Sequence, residues 1–134
     1  LHDVARVRSE RARAAKEAVS LVNGNLQSRL SLFLLRDTAE IGRRLASQQT
    51  QTRRISAIYE QLTHGVTEAG EVALTERIKS SRAEYLRVFS GARDALLAGR
   101  RQEAIDQLER DVMPQAARYL TAWSAYSGYQ ECQM

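Results

Sequence analysis

Six polar residues stand where three long amphipathic stretches should be apolar: Gln48 and Thr52, then Arg82 and Tyr85, then Gln115 and Tyr119. A guanidinium, three hydroxyls and two amides on facing stripes offer the groups that hold a small carboxylate. Arg supplies a bidentate fork, while Thr and Tyr hydroxyls and Gln amides satisfy the remaining oxygens. Burying a charge without a partner costs several kcal/mol, roughly, so an anionic ligand is the natural compensation. Arg82 is the expected charge partner, with Thr52, Tyr85 and Tyr119 as hydroxyl contacts and Gln48 and Gln115 as secondary ones. The alternative register turns Ser81 and Val88 inward and leaves Arg82 on a solvated flank.

Helices must carry these residues. The chain has 134 residues, 43% hydrophobic and 27% charged, with one Pro and seven Gly, so turn signals are too few for an all-β fold. Spacings of three and four recur in four segments. The first segment carries Val4, Val7, Ala14, Ala18, Leu21, Leu32 and Leu35, with Arg11, Asn25 and Ser28 in the same register, and ends near Arg36. Asp37 caps the second, whose stripe runs Ile41, Leu45, Gln48, Thr52, Ile55, Tyr59, Leu62 and fades at His64-Gly65. Thr67 is placed to cap the third, which reads Thr75, Ile78, Arg82, Tyr85, Phe89, Ala92, Leu96 and closes at Gly99. The fourth reads Ile105, Leu108, Val112, Gln115, Tyr119, Ala122, Tyr126, Tyr129, with Pro114 predicting a kink and a freed carbonyl near Arg110.

Short connections between long helices predict an all-α, antiparallel, up-down-up-down four-helix bundle, one domain over residues 1–134. Counting equal numbers of residues from the breaks places Thr52 opposite Arg82, and Arg82 between Gln115 and Tyr119. The same count sets Thr52 against Leu21, with Asn25 one turn away.

Other chemistries find no footing. His2 and His64 are far apart at helix ends, the single Cys132 is near the C-terminus, and no carboxylate pair accompanies either histidine. No catalytic constellation, metal site, cofactor or phosphate-binding glycine loop is therefore expected, and an enzyme is not. Twenty basic against 16 acidic residues give +4, a modest excess. The basic start, Arg6, Arg8, Arg11, Arg13 and Lys16, is interspersed with Glu10 and Glu17, which reads as a solvated face or a dimer seam rather than a nucleic-acid surface. No run of about 18 apolar residues occurs, so no spanning helix is expected within the chain. With Leu1 in place of Met, and helices at both ends, it reads as a piece flanked by membrane spans. Trp123, Tyr126 and Tyr129 would lie at a lipid interface or cover the end of the bundle.

The run Val22-Asn23-Gly24-Asn25-Leu26-Gln27-Ser28-Arg29-Leu30, then Ala83-Glu84-Tyr85, Leu97-Ala98-Gly99-Arg100 and Asp111-Val112-Met113-Pro114-Gln115-Ala116-Ala117-Arg118-Tyr119-Leu120, resembles the periplasmic four-helix-bundle sensor of bacterial methyl-accepting chemotaxis receptors. The resemblance spans nearly the whole chain and is greatest to sensors of organic acids such as malate and citrate. It implies a homodimer anchored in the inner membrane, with ligand bound on the periplasmic side and a signal passed down the last helix. In the amino-acid receptors of that family, arginines of the first helix bind ligand across the dimer interface. Arg29 and Arg36 are the arginines available here for such a site, and their spacing departs from the pattern of those receptors. Two rival readings are a ligand-free helical module for dimerisation or partner binding, and the sensor of a membrane histidine kinase.

Overall fold

The computed structural model describes residues 2–133 and is all-helical, with no strand among the described residues. Helix α1 (His2–Ser31) runs into a 3-10 turn, Leu32–Leu34. Helices α2 (Thr38–Ser47) and α3 (Gln49–Thr63) form a second stretch interrupted at Gln48, and α4 (Ala69–Leu97) is the third. The fourth is α5 (Arg101–Gln107), a π-helical turn over Leu108–Val112, and α6 (Met113–Cys132). None of the described helices is long and apolar enough to cross a membrane.

The helix ends follow local chemistry. Asp37 caps α2, its Oδ1 accepting from Ala39 N at 3.0 Å, while Glu40 pairs with Arg43 and Arg44 instead of closing a capping box. At the start of α4 the cap is Glu68, not Thr67: its carboxylate accepts from Gly70 N at 2.9 Å and Glu71 N at 2.8 Å. Two charge-assisted bonds at the positive end of a helix outcompete one hydroxyl bond. Gly99, at φ +80°, ends α4; Arg100 N donates to Ala95 O and Gly99 N to Leu96 O, the paired bonds of a Schellman motif. Near Pro114 the chain does not break. Met113 N donates to Leu108 O, five residues back, and this wider turn makes room for the proline ring.

The core forms where α1 packs on α3 and α6, and α4 on α5 and α6. Buried alanines of α1, namely Ala12, Ala15 and Ala18, allow the close approach of α6 with its buried Trp123 and Tyr126. Val4 and Val7 are exposed, because the buried line of α1 runs instead through Ala15, Ala18, Val22, Asn25 and Arg29. Ile55, Ile58 and Leu62 of α3 and Ile78, Tyr85, Phe89 and Ala92 of α4 complete it. Tyr85 stacks on Tyr119 at 5.8 Å and on Phe89 at 5.9 Å, and Phe33 meets Phe89 edge-on.

One end of this core is tied by a fully paired polar network. Arg11 pairs with Glu71, donates to Leu62 O at 2.7 Å and to the Tyr126 hydroxyl at 3.1 Å. Tyr126 donates to Glu71 at 2.9 Å and accepts from Gln130, so Trp123 and Tyr126 close the interior while Tyr129 reaches Glu68 at 2.5 Å. The Tyr129 hydroxyl, then the Gly70 and Glu71 amides, hold the Glu68 carboxyl below its ordinary value of 4.5. A carboxyl lowered in the folded state contributes stability that is present above its unfolded pKa and is lost as pH falls through the folded value. The melting temperature should therefore fall as pH drops below 4.5. Glu68→Gln should melt lower than wild type at pH 7 and show a shallower acid decline in calorimetry; parallel declines would show that the cap is not a titrating contact.

Candidate functional site

Asn25 and Arg29 lie one turn apart on the inward face of α1, only 6% and 8% exposed. The Arg29 guanidinium rests over the Phe89 ring, 4.8 Å from its centroid, a cation–π contact that carries the charge into the interior. Its Nη2 donates to Thr52 Oγ1 on α3 at 3.2 Å, and Thr52 in turn donates to Gln48 O at 3.3 Å. From α4, Arg82 reaches across to α3, where its Nη2 donates to Ser56 Oγ at 2.8 Å. Tyr85 lies three residues further along α4 and stacks on Tyr119 of α6.

These side chains form one small, partly open cavity of about 20 Å³, lined by Asn25, Arg29, Thr52, Ile55, Arg82, Tyr85, Leu86 and Tyr119. No Asp or Glu among the described residues lines it. Arg29 and Arg82 donate to hydroxyls where Arg11 has Glu71 and Arg54 has Glu17. Two guanidinium groups from different helices thus face one space without a carboxylate in its wall. Burial pushes both tyrosines up, the Arg29 charge and hydrogen bond partly offsetting this at Tyr85, and Trp123, Arg82 and Arg29 at Tyr119. The phenols stay protonated, so the cavity presents N–H and O–H donors and positive charge, the environment an anion requires.

Arg82 also lines an open groove of about 500 Å³ between α3 and α4, whose wall includes Ser56, Tyr59, Thr75 and Lys79 and two carboxylates, Glu60 and Glu76. The half-buried Arg82 therefore stands between the small cavity and this groove. Its one hydrogen bond among the described residues is to Ser56. Ser81 does not replace it: the Ser81 hydroxyl donates back to Arg77 O and Ile78 O of its own helix.

Of the residues expected from the sequence, Thr52, Arg82, Tyr85 and Tyr119 come together. Gln48 is buried but lies in a separate cleft with Ser28, Ser31, Arg44, Ser47 and Gln51, because the helix breaks at that residue. Gln115 is half-buried and lines neither space. Arg29, expected on a face shared between two chains, is turned into its own core, while Arg36 is exposed beyond the end of α1. The spacing Ala18, Val22, Asn25, Arg29 carries this signal: steps of four, three and four put Arg29 on the same face as the core. No cluster of three or more metal-ligating side chains occurs among the described residues. No family model matches the sequence, and no curated protein matches it.

Removing an unpaired buried cation should relieve strain, whereas removing one member of a pair should create it. Arg29→Met, which keeps the stem, should raise the unfolding free energy by roughly 1–3 kcal/mol in ligand-free urea titrations. Arg11→Met, which strands Glu71, should lower it by roughly 2 kcal/mol or more. Equal losses in both variants would mean that Arg29 is compensated within the chain.

Proposed function

We propose that this chain is the ligand-binding domain of a membrane receptor, capturing a small organic di- or tricarboxylate inside an antiparallel four-helix bundle. The observation that carries this reading is the convergence of Arg29 and Arg82 on a space whose walls supply only neutral groups to meet them. A carboxylate accepts from the forks of both, and the Tyr85 and Tyr119 hydroxyls donate to the oxygens that remain. The small cavity has room for about one water. A ligand therefore enters by drawing Arg82 away from Ser56 and leaving its body in the groove between α3 and α4.

Side-chain contacts support the antiparallel arrangement. Along α1 and α3 the meeting pairs are Arg11 with Leu62, Glu17 with Arg54 and Arg29 with Thr52, one number rising as the other falls. The pairs between α3 and α4, Ser56 with Arg82 and Tyr59 with Thr75, run the same way. So do those between α4 and α6, Glu68 with Tyr129, Glu71 with Tyr126 and Tyr85 with Tyr119.

An anion held by Arg29 of α1, Arg82 of α4 and Tyr119 of α6 bonds to three helices at once. It favours whichever packing brings those three groups closest, and a ligand shifts an equilibrium only through such differential contacts. With α6 as the output helix, this suits a chemotaxis receptor of the periplasmic organic-acid type, dimeric and anchored in the inner membrane.

A thermal-shift panel of succinate, malate and citrate tests the reading. At a hundredfold excess over the dissociation constant, binding stabilises the fold by about 2.7 kcal/mol. That corresponds to a rise in melting temperature on the order of 10 °C for a domain of this size. Arg29→Met and Arg82→Ala should abolish the rise, and Arg82→Lys should lose most of it with the fork. A panel without a shift, or one unchanged in the arginine variants, would overturn the proposal.

A further inference from the structure

Helices α3 and α4 follow one another in the chain but are not packed like the other neighbours. α1 packs on α3 and on α6, and α4 on α5 and on α6, whereas the backbones of α3 and α4 come close at hardly any point. Long side chains cross the gap instead. Arg82 donates to Ser56 Oγ at 2.8 Å, and the Tyr59 hydroxyl donates to Thr75 O at 3.0 Å. Protein interiors are filled to the density of organic crystals, so an open seam between consecutive helices is a place for something else to fit.

Beside the groove that holds Glu60 and Glu76, the seam contains a second open pocket of about 220 Å³. Tyr59 of α3 and Ala83 and Leu86 of α4 form its apolar wall, Lys79 and Arg82 supply charge, and no Asp or Glu among the described residues lines it. The Tyr59 ring is held in place by Trp123, which meets it edge-on at 6.2 Å, and by its own bond to Thr75. Neither Lys79 nor Arg82 enters any ion pair among the described residues.

We propose that this pocket is a second binding site, separate from the small cavity, and that it takes an aromatic carboxylate. The ring lies against Tyr59, Ala83 and Leu86, with Tyr59 offering an offset or edge-on aromatic contact. The carboxylate meets the Lys79 ammonium and those N–H groups of the Arg82 fork that Ser56 leaves free. A rigid ring buries apolar area without giving up the rotamer freedom that a flexible chain loses. The size agrees, because a dry cavity of about 150 Å³ takes benzene, so about 220 Å³ takes one ring with its acid group.

Titration calorimetry of the whole chain with benzoate, acetate and benzamide tests the assignment, since acetate lacks the ring and benzamide lacks the charge. Benzoate should bind roughly tenfold tighter than either. Lys79 and Ala83 are exposed and line no part of the small cavity, so substitutions there report on the seam alone. Ala83→Glu, a helix-compatible change that sets a carboxylate in the pocket, should abolish benzoate binding. Lys79→Gln should weaken it severalfold. Both variants should keep the helical circular dichroism of the wild type. Acetate or benzamide matching benzoate, an affinity for benzoate unchanged in either variant, or no binding of benzoate at all would overturn the proposal. Each of these results leaves the reading of the small cavity standing, because that reading uses neither side chain.

Discussion

Positive charge inside the helical core, without negative charge in the wall around it, is the constraint on which the remaining features depend. The chain satisfies the same problem fully elsewhere. Arg11 and Arg29 are 18 residues apart on α1, about 27 Å along its axis. Arg11 is answered by Glu71, Tyr126 and a backbone carbonyl, while Arg29 is met by a threonine hydroxyl and the face of a phenylalanine. Neutral dipoles and a ring quadrupole lessen the cost of burying a guanidinium but do not cancel it. Among the described residues the layer at Arg29 and Arg82 is therefore less fully paired than the network around Arg11, although Gln48, Gln51 and Trp123 each also keep a buried polar atom without a partner.

Keeping that layer at one height depends on how the helices end. The Glu68 cap and the Schellman motif at Gly99 fix where α4 starts and stops, and so fix the level of Arg82 and Tyr85. The π-helical turn at Leu108–Val112 inserts extra backbone ahead of Pro114, and the helix beyond it turns Tyr119, Trp123 and Tyr126 into the core. The interruption at Gln48 reorients the second stretch just before Thr52, which bonds back to the Gln48 carbonyl. The aromatic series from Phe33 through Phe89 and Tyr85 to Tyr119 then forms one wall of the cavity and the bed for Arg29. The groups lining this space therefore have positions set by every helical stretch: Asn25 and Arg29 by the first, Thr52 by the second, Arg82 and Tyr85 by the third and Tyr119 by the fourth.

The all-helical class and most of the core stripe were legible in the sequence. Every stripe residue assigned to the third segment except Arg82 is buried, and Arg82 is half-buried as a polar rim residue should be. Residue counting from the breaks also brought Thr52, Arg82, Tyr85 and Tyr119 together, because rise per residue is nearly constant and short connections leave little slack. Composition and three-four spacing determine those features through backbone geometry alone. Rotation of each helix about its own axis is different. It advances about 100° per residue, so a residue on the edge of a stripe faces the core or solvent according to what its neighbours can accommodate. That is why tertiary packing decided that the Arg29 guanidinium lies over Phe89 rather than on a face shared between two chains, that Val4 and Val7 stay outside, and that Gln48 and Gln115 leave the layer. The sequence by itself pointed to a guanidinium among hydroxyls in a helical protein; only the packing of six helices decided that two of them, Arg29 and Arg82, line one space, and that among the described residues no carboxylate bonds to either.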